Sequence, residues 1–343
     1  MVSTNNSGES PIIEACDLVK RYGDVVAVNG VDLVVREGEI FGILGPNGAG
    51  KTTTLEMIEG LREPDSGSIT VAGIDVVAEP RRLRKVIGAQ LQATALFDYL
   101  SAAELIKLYC SLYDADDSPA RIDELLALVD LEEKRSARVN ELSGGQKQRL
   151  AITLALVNQP KVVFLDEPTT GLDPAARRSL WSVIQGVRNR GATVVLTTHY
   201  MEEAEVLCDR IALFDHGRVI ACDTTQALIR NLNMSATIKA TIEHGALDLQ
   251  TLESLPAVTG AVFQDRGQQT ELTLESTSAQ QSMIGLLDLA TRRNVTLGDL
   301  RSSQANLEDV FISLTGHSYE AETEPASENP EPQRKRRRRR EAA

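Results

Sequence analysis

The stretch GPNGAGKT, Gly45 to Thr52, decides how this 343-residue chain is read. It fits the pattern G-x-x-x-x-G-K-[ST]. In that pattern the backbone N–H groups of a glycine-rich turn converge on phosphate oxygens, and the helix that follows adds partial positive charge. Its surroundings agree with this reading. Glu39 to Leu44 (EIFGIL) is a short apolar run of the buried-strand kind, and a helical pattern runs from about Lys51 to Glu59. The candidate phosphate contacts are Gly45, Pro46, Asn47, Gly48, Ala49, Gly50, Lys51, Thr52 and Thr53. Lys51 can reach the β- and γ-phosphates of a nucleotide such as ATP, and the Thr52 hydroxyl can bind Mg2+. A plain glycine turn is the bland alternative. A chance match in such a chain is on the order of one in a hundred.

Working outward, VVFLDE (Val162 to Glu167) places two acids at the C-terminal end of a second buried strand, where doubly wound sheets bind their ligands. Asp166 is the candidate Mg2+ ligand and Glu167 the candidate polariser of an attacking water. A helix-capping role for Asp166 and a purely electrostatic role for Glu167 stay open. LSGGQ (Leu142 to Gln146) is too polar for a core. Small residues before a helix N-terminus make either an anion-binding nest or a cap built on Ser143.

Composition narrows the classes. Apolar content of 42% and charged content of 25% are ordinary for a globular protein, and 4% aromatics imply an aliphatic core. A net charge of −13 argues against a body built to grip nucleic acid, although Arg334 to Arg340 is an unbroken basic run. Cys16, Cys110, Cys208 and Cys222 lack the spacing of a zinc site or a disulfide framework, as in a reducing compartment. The N-terminus has no signal-peptide core, and no apolar run approaches the ~18 residues that span a bilayer, so a membrane role requires a partner.

The element pattern predicts an α/β fold with a mostly parallel sheet. Ile12 to Val19 and Val25 to Val35 alternate as strands, and Thr193 to Leu196 is a further buried strand. A helix lies over about 175–189, and a helical insert occupies about 95–157. After Asn231 the order β-α-β-β-α-β predicts a small ferredoxin-like α+β unit over 235–316. Its last strand is expected at Val295 to Leu297, and a helix over Leu307 to Leu314 closes it. Residues 1–10 read as a flexible N-terminus. Residues 317–343, rich in Glu and Pro and then Arg, read as a disordered tail.

LSGGQ followed by Lys147-Gln148-Arg149, then LDEPTTGLDP from Leu165 to Pro174, resembles the ATP-binding subunits of ABC transporters. The resemblance runs from about 12 to 231. It implies a P-loop cassette with a parallel-sheet core, an antiparallel β subdomain and a helical insert, working as a dimer with ATP and Mg2+. Ser143, Gly144, Gly145 and Gln146 would touch the nucleotide held by the opposing copy. Tyr22 resembles the aromatic that stacks on adenine, and Gln92 the glutamine that links Mg2+ and water to the membrane partner. Asp173 resembles the acid that communicates across the dimer, and His199 the histidine that senses the γ-phosphate. A cap before Pro174 is the bland reading of Asp173.

The ending Ser303 to Gly316, with LEDVF, and the run Ile87 to Leu100 resemble drug- and antibiotic-export ATPases of the daunorubicin-resistance type. That implies export through a separate polytopic permease at the cytoplasmic face of the membrane. An importer ATPase remains an alternative, as does a soluble ABC ATPase acting on ribosomes or nucleic acid. The arginine run would suit an anionic lipid surface.

Overall fold

The computed structural model of the protein describes residues 11–91, 96–232, 236–266 and 269–316. Strands β1 (Pro11–Tyr22) and β2 (Val25–Arg36) form an antiparallel hairpin. The five buried residues of β3 (Ile40–Leu44) lead through the phosphate-loop candidate into α1 (Lys51–Ile58). Then β4 (Ser66–Val71) and β5 (Ile74–Asp75) return to the hairpin, completing a four-stranded sheet in the order β2-β1-β4-β5. A short α2 (Pro80–Leu83) precedes β6 (Ile87–Gln90).

The helical insert follows as α3 (Ala102–Leu112), α4 (Pro119–Leu128) and α5 (Gly144–Leu154). Leu105, Ile106, Leu125 and Leu126 share one cluster with Leu150, Leu180 and Val194, so the insert and the main sheet are packed on common side chains. The chain then runs through β7 (Val162–Asp166), α6 (Pro174–Asn189), β8 (Thr193–Thr198), α7 (Met201–Leu207), β9 (Arg210–Asp215), β10 (Arg218–Asp223) and α8 (Thr225–Arg230). The main sheet has the order β10-β9-β3-β8-β7-β6, parallel except for β10. Every residue of β3, β7 and β8 is buried, which is why their sequences, apart from Asp166 at the end of β7, are continuous apolar or threonine runs without alternation. Each fully buried aliphatic side chain contributes roughly 1.5–3 kcal/mol before conformational entropy is subtracted.

The last part contains β11 (Ala236–Glu243), α9 (Leu249–Glu253), β12 (Val258–Arg266), β13 (Gln269–Ser276), α10 (Ala279–Arg293), β14 (Gly298–Gln304) and α11 (Leu307–Thr315). Its sheet is antiparallel in the order β12-β13-β11-β14, which with the intervening helices is the expected βαββαβ arrangement.

Two expectations need correction here. The final strand is Gly298–Gln304, not Val295 to Leu297. It is a mostly exposed polar edge strand held by its ladder to β11, so it carries no apolar signal, whereas Val295 and Leu297 pack on the cluster beneath. The second correction concerns α11, which does not close this unit. Leu307 and Val310 join Leu44, Ala204, Ile211, Leu213 and Leu228, a cluster of the cassette. Asn306 caps α11 through the Asp309 amide (3.1 Å), and Glu205 of α7 accepts the Leu307 amide (2.9 Å). The apolar face of α11 was legible in sequence, but its partner was not.

Because Leu307 completes a cluster that also holds β3 and β9, Leu307→Ala should cost about 2–5 kcal/mol. Chemical denaturation of the full chain should show the loss in the transition of the cassette. An unchanged cassette midpoint, with loss confined to the β11–β14 sheet, would contradict the packing.

Candidate nucleotide site

The ends of β3, β7 and β8 lie side by side, and the candidate residues sit in the connections that follow them. After β3 the loop turns sharply. Gly50 has φ of +97°, and a Cβ there would lie 2.3 Å from the Ala27 carbonyl oxygen; one at Gly45 would lie 2.4 Å from that of Phe214. Both positions are therefore closed to other residues. Gly48 has open space around it. Lys51 is 4% exposed, and its ammonium donates to the carbonyls of Gly45 (2.8 Å) and Pro46 (3.1 Å). Burial lowers its pKa, while Glu167 and Asp166 pull it back up.

Asp166 ends β7. Its Oδ1 accepts from the Thr197 hydroxyl of β8 at 2.5 Å and faces the Thr52 hydroxyl at 3.3 Å. Burial raises its pKa against those two hydrogen bonds. Glu167 occupies the left-handed region at φ +46°. Its amide donates to Thr197 Oγ1 (2.9 Å), and its Oε2 accepts from the Thr170 hydroxyl (3.1 Å) and lies 3.2 Å from His199 Nδ1. Its Oε1 lies 3.8 Å from the Lys51 ammonium. The His199 contact, first among several favourable interactions, holds the carboxyl below the usual carboxylate range despite burial.

Lys51, Thr52, Asp166, Glu167 and His199 thus converge on one place. The donor set fits a magnesium polyphosphate: a buried ammonium inside a loop, and a hydroxyl and a carboxylate facing one another. Mg2+ is commonly held by only one or two carboxylates plus phosphate oxygens. Consistent with so few protein ligands, no cluster of three His, Cys, Asp or Glu able to hold a metal occurs among the described residues.

The remaining candidates are arranged differently. Ser143 starts α5 and accepts from the Gln146 amide (3.3 Å), while Gln146 Oε1 accepts from the Ser143 amide (2.9 Å). Gly144 and Gly145 form the first turn of that helix. Asp173 accepts from the amides of Ala175 and Ala176, both at 2.9 Å. Within a single chain these residues act as helix caps. Tyr22 ends β1, is 40% exposed as a residue, and has the Arg62 guanidinium 5.3 Å from its ring centre. Gln92 lies outside the described residues.

The chain matches the ABC transporter family over residues 28–170. It is 39% identical to the Nod factor export ATP-binding protein I of Burkholderia lata, over 89% of this chain and 97% of that one. The chain belongs to the ABC transporter ATP-binding proteins. Its activity is ATP hydrolysis. The daunorubicin/doxorubicin resistance ATP-binding protein DrrA of Streptomyces peucetius is 36% identical over 94% of this chain and 98% of its own. The linearmycin resistance ATP-binding protein LnrL of Bacillus subtilis is 35% identical, over 90% and 99%. Among solved structures, a dimeric ATP-binding cassette in a post-hydrolysis state bound to ADP and Pi superposes with a TM-score of 0.56 at 30% identity, covering 62% of this chain and 98% of that cassette.

The sequence reading missed three buried acids of the cassette, Glu39, Glu59 and Glu203. Glu203 is fully buried, and Glu59 is 3% exposed with neither carboxylate oxygen hydrogen-bonded among the described residues. An acid in an apolar helix end, as in Met57-Ile58-Glu59, was the available signal. Burial, reinforced by Asp166 and Glu56, pushes the Glu59 pKa up to about 8. The folded state therefore binds a proton that the unfolded chain releases near its ordinary value of 4.5. Stability falls as pH rises between those two values, by at most about 4 kcal/mol from pH 5 to pH 8. Thermal denaturation should show Glu59→Gln gaining stability over wild type as pH climbs through that window; a pH-independent difference would refute it.

Proposed function

We propose that this chain is the ATP-hydrolysing subunit of an exporter, driving a drug, antibiotic or lipid-like compound through a separate polytopic membrane protein. The observation that carries the reading is the length of the match. The export and resistance relatives align over 89–94% of the chain and therefore extend beyond the cassette. No helix among the described residues is long and apolar enough to cross a membrane, so the translocation path falls to a partner. The reading places the chain at the cytoplasmic face, with a cassette over 11–231 and an accessory unit over 235–316 whose final helix returns to the cassette.

In this reading the loop from Gly45 to Thr53 cradles the phosphates of ATP, and Lys51 leaves its loop carbonyls for the β- and γ-phosphate oxygens. Tyr22 lies against the adenine. Thr52 and Asp166 would hold Mg2+, with Gln92 as a further ligand, and the ion when bound neutralises phosphate charge. Glu167 is kept ionised at neutral pH and orients the attacking water, and His199 steadies Glu167 and the γ-phosphate. Ser143, Gly144, Gly145 and Gln146 meet the ATP of a second copy, with Asp173 at the same interface. Their capping bonds leave that role open, because a helix N-terminus held by a serine still presents amide dipoles outward. ATP bound between two copies favours the closed dimer, and hydrolysis releases it. The Arg334 to Arg340 run suits an anionic leaflet beside the permease.

Glu167→Gln should retain ATP affinity, lose roughly 100-fold or more in turnover, and accumulate a closed dimer in sizing experiments with ATP. Turnover at the wild-type rate would sink the assignment of Glu167. Purification of tagged protein from membranes in mild detergent should bring down a polytopic protein that alters ATP turnover. Ribosomes or nucleic acid in its place would move the reading to a soluble ABC ATPase.

A further inference from the structure

Beyond the expected site residues, α6 carries a stripe at four-residue spacing: Asp173, Arg177 and Trp181. Such spacing puts all three on one helix face. That face meets the start of α7. The Trp181 indole N–H donates to Glu203 Oε1 at 3.0 Å, a bond between two buried side chains. The Arg177 guanidinium lies 4.1 Å from the centre of the Tyr200 ring. The Tyr200 ring is centred 4.1 Å from that of His199, tilted by 43°. His199 Nδ1 in turn is 3.2 Å from Glu167. An unbroken series of contacts therefore joins Asp173, at the head of α6, to Glu167 at the end of β7.

Other groups around this series are polar and buried. Arg177 Nε makes no hydrogen bond among the described residues. The Thr198 and Thr169 hydroxyls favour the ionised Glu203 carboxyl as hydrogen-bond partners, and Arg177 favours it as a charge. A buried carboxylate held by an indole on α6, beside an α6 cation with an unmet N–H, is an arrangement that a small rotation of α6 would change.

We propose that Arg177 and Glu203 are positioning residues. They hold the Tyr200 and His199 rings so that His199 meets Glu167, and they transmit the position of α6, and hence of Asp173, to the histidine. This rests on the role given above to His199. Lysine cannot replace Arg177 fully, because only a planar guanidinium stacks on the ring while keeping its fork of donors.

The test is a double-mutant cycle on the full chain, read by single-turnover ATP hydrolysis, nucleotide affinity and melting temperature. Coupling of this kind is on the order of 2- to 30-fold in rate. Arg177→Met should slow hydrolysis about tenfold with ATP affinity within about twofold and with little change in melting, and Arg177→Lys should recover part of the rate. In a His199→Ala background, Arg177→Met should cost less than about twofold more. A full independent loss in that background, or wild-type hydrolysis by Arg177→Met, overturns the positioning role while leaving His199 in place. A wild-type rate for His199→Ala alone overturns both. If Arg177→Met does not fold, Tyr200→Leu takes its place in the same cycle with the same expected outcomes.

Discussion

A buried lysine ammonium, Lys51, sits between two carboxylates at the open end of a parallel sheet. Three charged groups in so little water would be costly unless neighbours compensate, because each ion loses hydration. The compensation here is local and specific. Loop carbonyls take the ammonium, threonine hydroxyls from α1 and β8 take Asp166, and Thr170 and His199 take Glu167. Much of the architecture serves to bring these partners together. The dry strands β3, β7 and β8 align their ends, and glycines at 45 and 50 let the loop pass close to neighbouring backbone.

Helix caps recur at the positions expected to face a second copy. Ser143 and Asp173 hold the first turns of α5 and α6. This does not compete with a role at an interface. A cap fixes the helix axis, and the axis fixes where the amide dipoles point. The same logic explains why the stripe behind Asp173 matters: a rigid α6 carries any displacement of its head to Arg177 and Trp181, and from there to the His199 and Tyr200 rings just before α7.

The C-terminal part is bound to the cassette by more than its linker. α11 lies on α7 and α8 and covers Leu44, the residue that ends β3. The accessory sheet is thus followed by a helix seated on the ATPase core, so the stability of the two parts is shared.

By itself the sequence determined the candidate phosphate loop, the acid pair and the α/β class, because these depend on contiguous residues whose chemistry is local: a G-x-x-x-x-G-K-T turn, an apolar run ending in Asp-Glu, and alternating strand and helix periods. It also determined the elements after Asn231 up to the second helix, since each carries its own apolar period, but not the polar strand that ends the βαββαβ order. Only the tertiary structure decided which surface α11 covers, where the polar edge strand Gly298–Gln304 lies, and that Glu59 and Glu203 are buried. An apolar stripe shows that a face must be covered but not by what. A polar strand on a sheet edge is held by ladder hydrogen bonds that any side chain permits. Whether an acid is wet or dry depends on side chains far away in the chain, and for Glu203 that means an indole 22 positions earlier, on another helix.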